Sequence, residues 1–415
     1  MLSGMTDLSS RAAAEIDLVN EHGTNNYGPL PVVLTEGKGA WVTDIDGKRY
    51  LDAVMAYSAA NFGHSNEKFI EVACNQMRKL DVTSRAFYAT GFGEFAEAIT
   101  KLSGLDRVLM MNTGAEANET AIKAARKWGY KVKGVAADQA EIIVMHGNFH
   151  GRTTTIMSFS DDENARDGFG PFTPGFVKVN YNDADAIEAA ITPNTVAVFL
   201  EPIQGEGGVV VPDEGYLKRV REITQKHNVL MMCDEVQTGM GRTGTPFRFQ
   251  AEGILPDVVT CAKSLSAGLY PVSAVLGSEE VMSVFTPGTH GSTFGGNPVA
   301  TALGKAVCDE LATGKWQAHA EELHPVLFEA LRSLLGRGLT DVRGVALWAG
   351  VDIDPAIGTA AEIVNELIER GVLIKNTRPQ SIRIALPIVV SREEIELFVR
   401  EFTAVIERRW DTREQ

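Results

Sequence analysis

Through the middle of this chain, short apolar runs end in polar residues whose types could do chemistry together. The run Val229-Leu-Met-Met-Cys233 delivers Asp234 and, just beyond it, Gln237, while Asp257-Val-Val-Thr-Cys261 leads through Ala262 to Lys263. After Arg107-Val-Leu-Met-Met111 come Asn112, Thr113, Gly114 and Ala115, which turn straight into an Ala- and Glu-rich helical pattern. A helix start of that kind offers free N–H groups and a positive dipole end, suited to one phosphate. Glu141-Ile-Ile-Val-Met145 is followed by His146-Gly-Asn-Phe149-His150-Gly-Arg152, and Val196-Ala-Val-Phe-Leu200 by Glu201-Pro-Ile-Gln-Gly-Glu206. Each feature alone has a plain explanation. Asp234 and Lys263 could form a salt bridge, and Asn112 and Thr113 could be ordinary helix caps.

Together, a phosphate cradle, a flat aromatic, an acid and a lone lysine at one sheet edge are what pyridoxal 5′-phosphate needs. The lysine joins the aldehyde carbon covalently, the acid keeps the pyridine nitrogen protonated so that the ring accepts electrons, and the helix start holds the phosphate. An acid about 4 Å from the pyridinium interacts with it by roughly 4 kcal/mol at an effective dielectric of 20. That energy shifts the ring's pKa by several units.

The elements that must position these residues are strands alternating with helices. The runs at 107–111, 141–145, 196–200, 229–232, 257–261 and 272–276 are nearly continuous in apolar residues, which predicts a mostly parallel sheet covered on both faces. Ligands of such a sheet lie beyond its carboxyl edge. From about residue 301 the pattern changes to a long helical stretch, strands at 342–351 and 381–385 and a closing helix near 393–408. This predicts a smaller α+β domain, which the N-terminal segment joins through a hairpin turning at Asp46-Gly47. The expected division is 1–57 with the small domain, 58–300 as the large domain and 301–415 as the small one.

Bulk properties narrow the function classes. The 415 residues are 44% hydrophobic with a formal charge of −15, and no run of Lys and Arg forms a phosphate-tracking stripe, so neither nucleic acid nor membrane is an expected partner. Cys74, Cys233, Cys261 and Cys308 are scattered without a C-x-x-C spacing, which fits inert thiols in a reducing compartment and no metal site. The N-terminus has no apolar core for secretion and carries several acidic residues, so the cytoplasm is expected. The stretch Gly239-Met-Gly241-Arg-Thr-Gly244 matches G-x-G-x-x-G, but it begins beyond the end of its strand and is followed by Thr245-Pro246, no helix start. A dinucleotide reading therefore fails, and with it a nicotinamide-dependent oxidoreductase.

The stretches NTGAEANETAIKAARK, NFHGRT, EPIQGEGGVVVP, DEVQTGMGRTG, DVVTCAKSLSAG and GSTFGGNP, in this order, resemble class III pyridoxal-phosphate aminotransferases over nearly the whole chain. The resemblance implies the type I fold of these transferases: a large domain with a mostly parallel seven-stranded sheet, plus a smaller α+β domain. It implies Lys263 and Asp234 as catalytic residues, with Asp234 pairing with the pyridine nitrogen. Gln237 would lie near the ring's phenolic oxygen, Phe149 would stack on the ring, and Thr113, Gly114 and Ala115 would form the phosphate site. Thr293 of a neighbouring subunit would complete that site, hence a homodimer or higher homo-oligomer. The substrates would be a small amino acid and a 2-oxo acid.

Within the class, NNYGPLPVVL, AYSAAN, TSRAFY, GLYPVSAVL and HGSTFGGNP resemble most the ornithine branch. That branch implies Tyr27, Tyr57 and Arg152 as the ornithine site, and a Glu206–Arg383 pair that closes in one half-reaction and opens in the other. Acetylornithine and 4-aminobutyrate aminotransferases share every cofactor motif. Two positions depart from the branch: His150 stands where the animal enzymes carry tryptophan, and Ala385-Leu-Pro387 replaces Pro-Pro-Leu.

Overall fold

The computed structural model describes residues 8–413. Residues 1–7 and 414–415, on which part of the N-terminal reading and the outer limits of the domain division fall, lie outside the described residues.

The central sheet has seven strands, in spatial order 107–111, 273–277, 258–261, 230–234, 195–200, 141–145 and 176–179. All run parallel except Ser273–Gly277, which is antiparallel to both its neighbours. The strand Thr195–Leu200 is buried at every position, and from Ala197 onward its side chains alternate between two apolar clusters. Val198 and Leu200 belong to one, Ala197 and Phe199 to the other. A strand buried on both faces needs apolar residues throughout, which is why these runs carry no polar alternation. Six of the seven strands coincide with the expected runs to within a residue or so. The seventh, Phe176–Val179, is a short, mostly half-buried edge strand containing Lys178; with little buried surface, it leaves no long apolar run to read.

One face of the sheet is covered by the helix Gly114–Trp128 through Ala117, Ala121 and Ala125. The other is covered by Phe92–Ser103, Tyr216–Lys226 and Pro298–Ala312, whose Phe95, Val220 and Leu303 enter the opposite cluster.

A third apolar cluster gathers the helices Lys315–Ser333, Ala360–Glu369 and Arg392–Thr412 around two four-stranded sheets. One sheet orders the strands 34–38, 41–44, 49–52 and 372–373, with the turn Asp44–Lys48 closing the expected hairpin over Gly47 at φ 85°. The other orders 339–345, 348–353, 381–385 and 375–376. The expected single strand at 342–351 is instead a hairpin, Leu339–Val345 paired with Trp348–Ile353. Its turn is at Ala346, in the left-handed region at φ 51°. The turn contains no Asn or Pro, the residues leading into it from Val342 are half-buried and the second arm is largely buried, so no polar break marks it.

The Gly239–Gly244 loop opens no long helix; only Arg248–Ala251 follows. At Gly241, φ is 84° and a Cβ would come 2.8 Å from Leu311 Cδ2, so the glycine serves a tight turn packed against a helix. Cys233, Cys261 and Cys308 are buried and Cys74 half-buried, all as free thiols. Among the described residues no helix is long and apolar enough to cross a membrane.

Candidate active site

Asp234 ends its strand at the carboxyl edge and is buried. Its Oδ2 accepts from Asn118 Nδ2 at 2.7 Å and meets His150 Nδ1 at 2.7 Å, and its Oδ1 accepts from the amide of Val236 at 2.9 Å. An ionised carboxylate only accepts, so Nδ1 of His150 is the protonated nitrogen. The His150 ring stacks on Phe199 at 4.1 Å with planes 18° apart, and Asn118 Nδ2 also donates to the His150 carbonyl at 2.7 Å. Donors from three elements thus fix both oxygens of one acid.

The adjacent parallel strand, Val258–Cys261, runs through Ala262 into Lys263, whose φ is 47°. Lys263 and Asp234 line one cavity of about 440 Å³, together with Thr113, Gly114, Ala115, Phe149 and Gln237. Burial pushes the Lys263 amine down to about 8, against the opposite pull of Glu206. A neutral amine is therefore available at lower pH than for an exposed lysine. In the cofactor-free chain, an amine-acylating reagent should modify Lys263 with a pH midpoint near 8, read by peptide mass spectrometry; a midpoint above 10 would contradict the burial argument. Between about 8 and the ordinary 10.5 the unfolded chain binds more protons at this site, so its contribution to stability rises with pH across that window.

The helix at Gly114 begins with a capping box: Thr113 Oγ1 accepts from the Glu116 amide at 3.2 Å, and Glu116 Oε2 accepts from the Thr113 amide at 2.8 Å. The Gly114 and Ala115 amides then open the first turn, where a helix has no acceptor of its own. A Cβ on Gly114 would lie 2.9 Å from Val236 Cγ1, so glycine lets the helix start approach the segment after Asp234. Phe149 donates its amide to Glu201 Oε2 at 3.0 Å. Burial, with Asp234 adding to it, pushes the Glu201 carboxyl well above the usual range.

Glu206, Gln237, Arg383 and Tyr57 form a second group against the first. Arg383 Nη1 donates to Glu206 Oε1 at 2.6 Å, Gln237 Nε2 donates to the same oxygen at 2.8 Å, and the guanidinium lies 5.0 Å from the Tyr57 ring. Burial opposes the charge on Glu206, but the charge and hydrogen bond of Arg383 outweigh it and hold the carboxyl below its usual value. A Cβ on Gly205 would come 1.9 Å from Gln237 Oε1, so a larger residue there would displace the Gln237 amide from Glu206.

Three expected residues stand apart. Tyr27, 71% exposed, lines a different cavity of about 390 Å³ with Arg152. The Arg152 guanidinium is 5.8 Å from the ring of Phe149, which lines the first cavity. Thr293 is exposed on the surface. Conversely, the reading of the motifs assigned no part to Asn118 and noted His150 only as a departure. Asn118 had a signal, being a polar residue one helical turn after Gly114 on the buried face of an Ala-rich helix.

The residues fit pyridoxal phosphate. An amine with a depressed pKa, a carboxylate held by three donors and a helix start with free amides converge on one cavity large enough for a small cofactor. Fold and site define a pyridoxal-phosphate-dependent transferase. The chain belongs to the class-III aminotransferases, whose family model matches residues 22–406. It is 45% identical over 391 residues to an ornithine aminotransferase of Oceanobacillus iheyensis, covering 94% of this chain and 98% of that protein. The structure of the ornithine aminotransferase of Toxoplasma gondii, with PLP partially occupying its active site, superposes with a TM-score of 0.93 at 38% identity, covering 99% of this chain and 100% of that one. An acetylornithine aminotransferase of Elizabethkingia anophelis superposes with a TM-score of 0.88 at 45% identity, covering 96% and 99%.

Proposed function

We propose that this enzyme transfers the δ-amino group of L-ornithine to 2-oxoglutarate, giving glutamate 5-semialdehyde, which cyclises to pyrroline-5-carboxylate, and L-glutamate. The observation that carries this reading is the Tyr57–Arg383–Glu206 group set against the Lys263 cavity, in a chain similar along its length to ornithine aminotransferases.

When bound, pyridoxal phosphate supplies an aldehyde carbon and a ring that accepts electrons. Lys263 Nζ would hold it covalently and, once released, move a proton at the reacting carbon of the amino acid. Asp234 would keep the ring nitrogen protonated, Phe149 and Gln237 would set the ring's plane and its oxygen, and Thr113, Gly114 and Ala115 would take the phosphate. Arg383 would receive the carboxylate beside the reacting carbon of glutamate. Ornithine has no carboxylate there, and a buried arginine left unpaired costs about 3–5 kcal/mol. Glu206 offsets that cost by pairing with Arg383 while ornithine is bound. Glu206→Ala should therefore speed reaction with α-amino acids relative to ornithine by at least about tenfold, read as the ratio of kcat/KM values; an unchanged ratio sinks the exchange.

Tyr27, Tyr57 and Arg152 are assigned to the ornithine end. Thr293 is assigned to the phosphate site of a neighbouring subunit, which its exposure beside Phe294 allows. Phe87 and Tyr88, 70% and 101% exposed, support burial against a second copy, hence a homodimer or larger homo-oligomer. We assign residues 58–300 to the large domain, and 1–57 with 301–415 to the small one. The cytoplasm is the proposed compartment, and the product connects arginine breakdown with proline synthesis.

A second reading, acetylornithine aminotransferase, is favoured by the 45% identity to the Elizabethkingia anophelis protein. The deciding experiment mixes the loaded enzyme with L-ornithine, N-acetylornithine or 4-aminobutyrate in the absence of oxo acid. Fast loss of visible absorbance with ornithine alone, together with pyrroline-5-carboxylate, establishes the proposal. Loss with another amine only overturns the substrate and keeps the cofactor chemistry.

A further inference from the structure

Met55, Ala56, Tyr57 and Ser58 all have positive φ, at 47°, 46°, 57° and 72°. None is glycine, asparagine or aspartate, and for such residues left-handed backbone brings Cβ against the following carbonyl. One residue of this kind is a turn; four in succession are a strained left-handed turn, which persists only where its surroundings over-determine it.

The surroundings here are specific. At the start of the turn, buried Asp52 accepts through Oδ1 from the amides of Val54 and Met55 at 2.8 and 2.9 Å, and its Oδ2 lies 2.7 Å from His64 Nε2. The Ala385 amide donates to the Ala53 carbonyl at 2.8 Å, joining the turn to the strand that carries Arg383. At the end of the turn, Ser264 Oγ donates to the Ser58 carbonyl and lies 3.3 Å from that of Ala59. Ser264 is the residue after Lys263, and is itself buried. A Cβ on Gly268 would sit 3.1 Å from the Ala59 carbonyl oxygen, so the rest of the lysine loop also lies against the same backbone.

We propose that Ser264 is a positioning residue. Its hydroxyl ties the backbone beside Lys263 to the left-handed turn and so sets the distance from the reacting amine to the wall made by Tyr57 and Arg383. The inference deepens the proposed function and rests on the reading of that wall as the substrate's seat. Ser264 touches neither the phosphate site nor Asp234, so its effect should fall on substrate binding and leave cofactor binding alone.

The test uses loaded enzymes. Ser264→Ala should keep its visible absorbance and its cofactor dissociation constant within about twofold, while KM for ornithine and for 2-oxoglutarate rises about tenfold, the loss of one buried hydrogen bond. The kcat should change less. Ala56→Gly, at an exposed position of the turn, should raise the melting temperature, since glycine adopts positive φ without penalty. Combined with Ser264→Ala it should recover part of the KM. Tyr57→Phe separates the two ideas. If it raises KM and Ser264→Ala does not, the positioning proposal is wrong and the substrate wall stands. If Ser264→Ala raises KM and Tyr57→Phe does not, the turn acts by placing Arg383, and the role given to Tyr57 is lost. Weakened cofactor binding in Ser264→Ala, or a lowered melting temperature in Ala56→Gly, overturns the proposal.

Discussion

With Lys263 replaced by alanine, turnover of every amino donor falls by about 10⁴-fold or more, because one substitution removes both the covalent anchor and the base that moves the proton. The loss should be chemical and not structural. The Lys263 amine is held below its ordinary pKa mainly by burial, so at neutral pH its charge is a cost to the fold and not a support. The cofactor-free Lys263→Ala protein should therefore melt no lower than the cofactor-free parent at pH 7. Two measurements check the pair: steady-state turnover with ornithine, and a thermal melt of both apoproteins. Residual turnover within about a hundredfold of the parent would take Lys263 out of the chemistry. A sharp fall in melting temperature would assign it to the fold.

What the sequence made legible follows from where the physical signal is local. Strands buried on both faces must be apolar at every position, so runs such as Thr195–Leu200 declare themselves, and the residues just past them are already the cavity's lining. Lys263, Asp234 and the Gly114 helix start could be found in that way because each stands within three residues of a strand end. The edge strand Phe176–Val179 and the hairpin turn at Ala346 have no such signal. The first buries too little, and the second turns through residues of ordinary β pattern.

The less legible part of the site is the part made by contacts distant in sequence. The clamp on Asp234 joins residues 118, 150 and 234, and the tie from Ser264 to Ser58 spans 206 positions. Neither leaves a spacing to read. The strained turn at 55–58 is opaque for a different reason: Met-Ala-Tyr-Ser contains none of the residues that normally mark positive φ, so its conformation is imposed by Asp52, Ser264 and the strand of Arg383. Motif resemblance pointed to Glu206 and Arg383, and the structure places them 2.6 Å apart. The same resemblance grouped Tyr27 with Tyr57, yet Tyr27 lies at another cavity.

The Asp234 clamp leads to the second large effect. Asp234→Asn keeps the shape of the side chain but replaces one acceptor oxygen by an NH₂ group that can only donate. Asn118 Nδ2, His150 Nδ1 and the Val236 amide are at present all donors to this group. With the NH₂ at the Oδ1 position the Val236 amide meets a donor, and with it at the Oδ2 position both Asn118 Nδ2 and His150 Nδ1 do. His150 can yield by moving its proton to Nε2, but that nitrogen is buried without a partner, in a pocket where the ring stacks on Phe199 and lies 5.9 Å from Phe159. The fold should therefore lose about 1–3 kcal/mol, the usual cost of one unsatisfied buried polar group. The larger consequence is electrostatic. Removing the charge forfeits roughly 4 kcal/mol of attraction for a protonated ring nitrogen, which corresponds to about a 10³-fold fall in kcat. Activity should thus fall far more than stability, and the ratio is the test: turnover and denaturant midpoint measured on the same loaded Asp234→Asn preparation. A kcat within threefold of the parent, with the stability loss present, would leave the clamp as a structural feature and remove Asp234 from the chemistry. A thousandfold fall with most of the fold's stability retained assigns the three donors their purpose, which is to hold one carboxylate aimed at the cofactor's ring nitrogen.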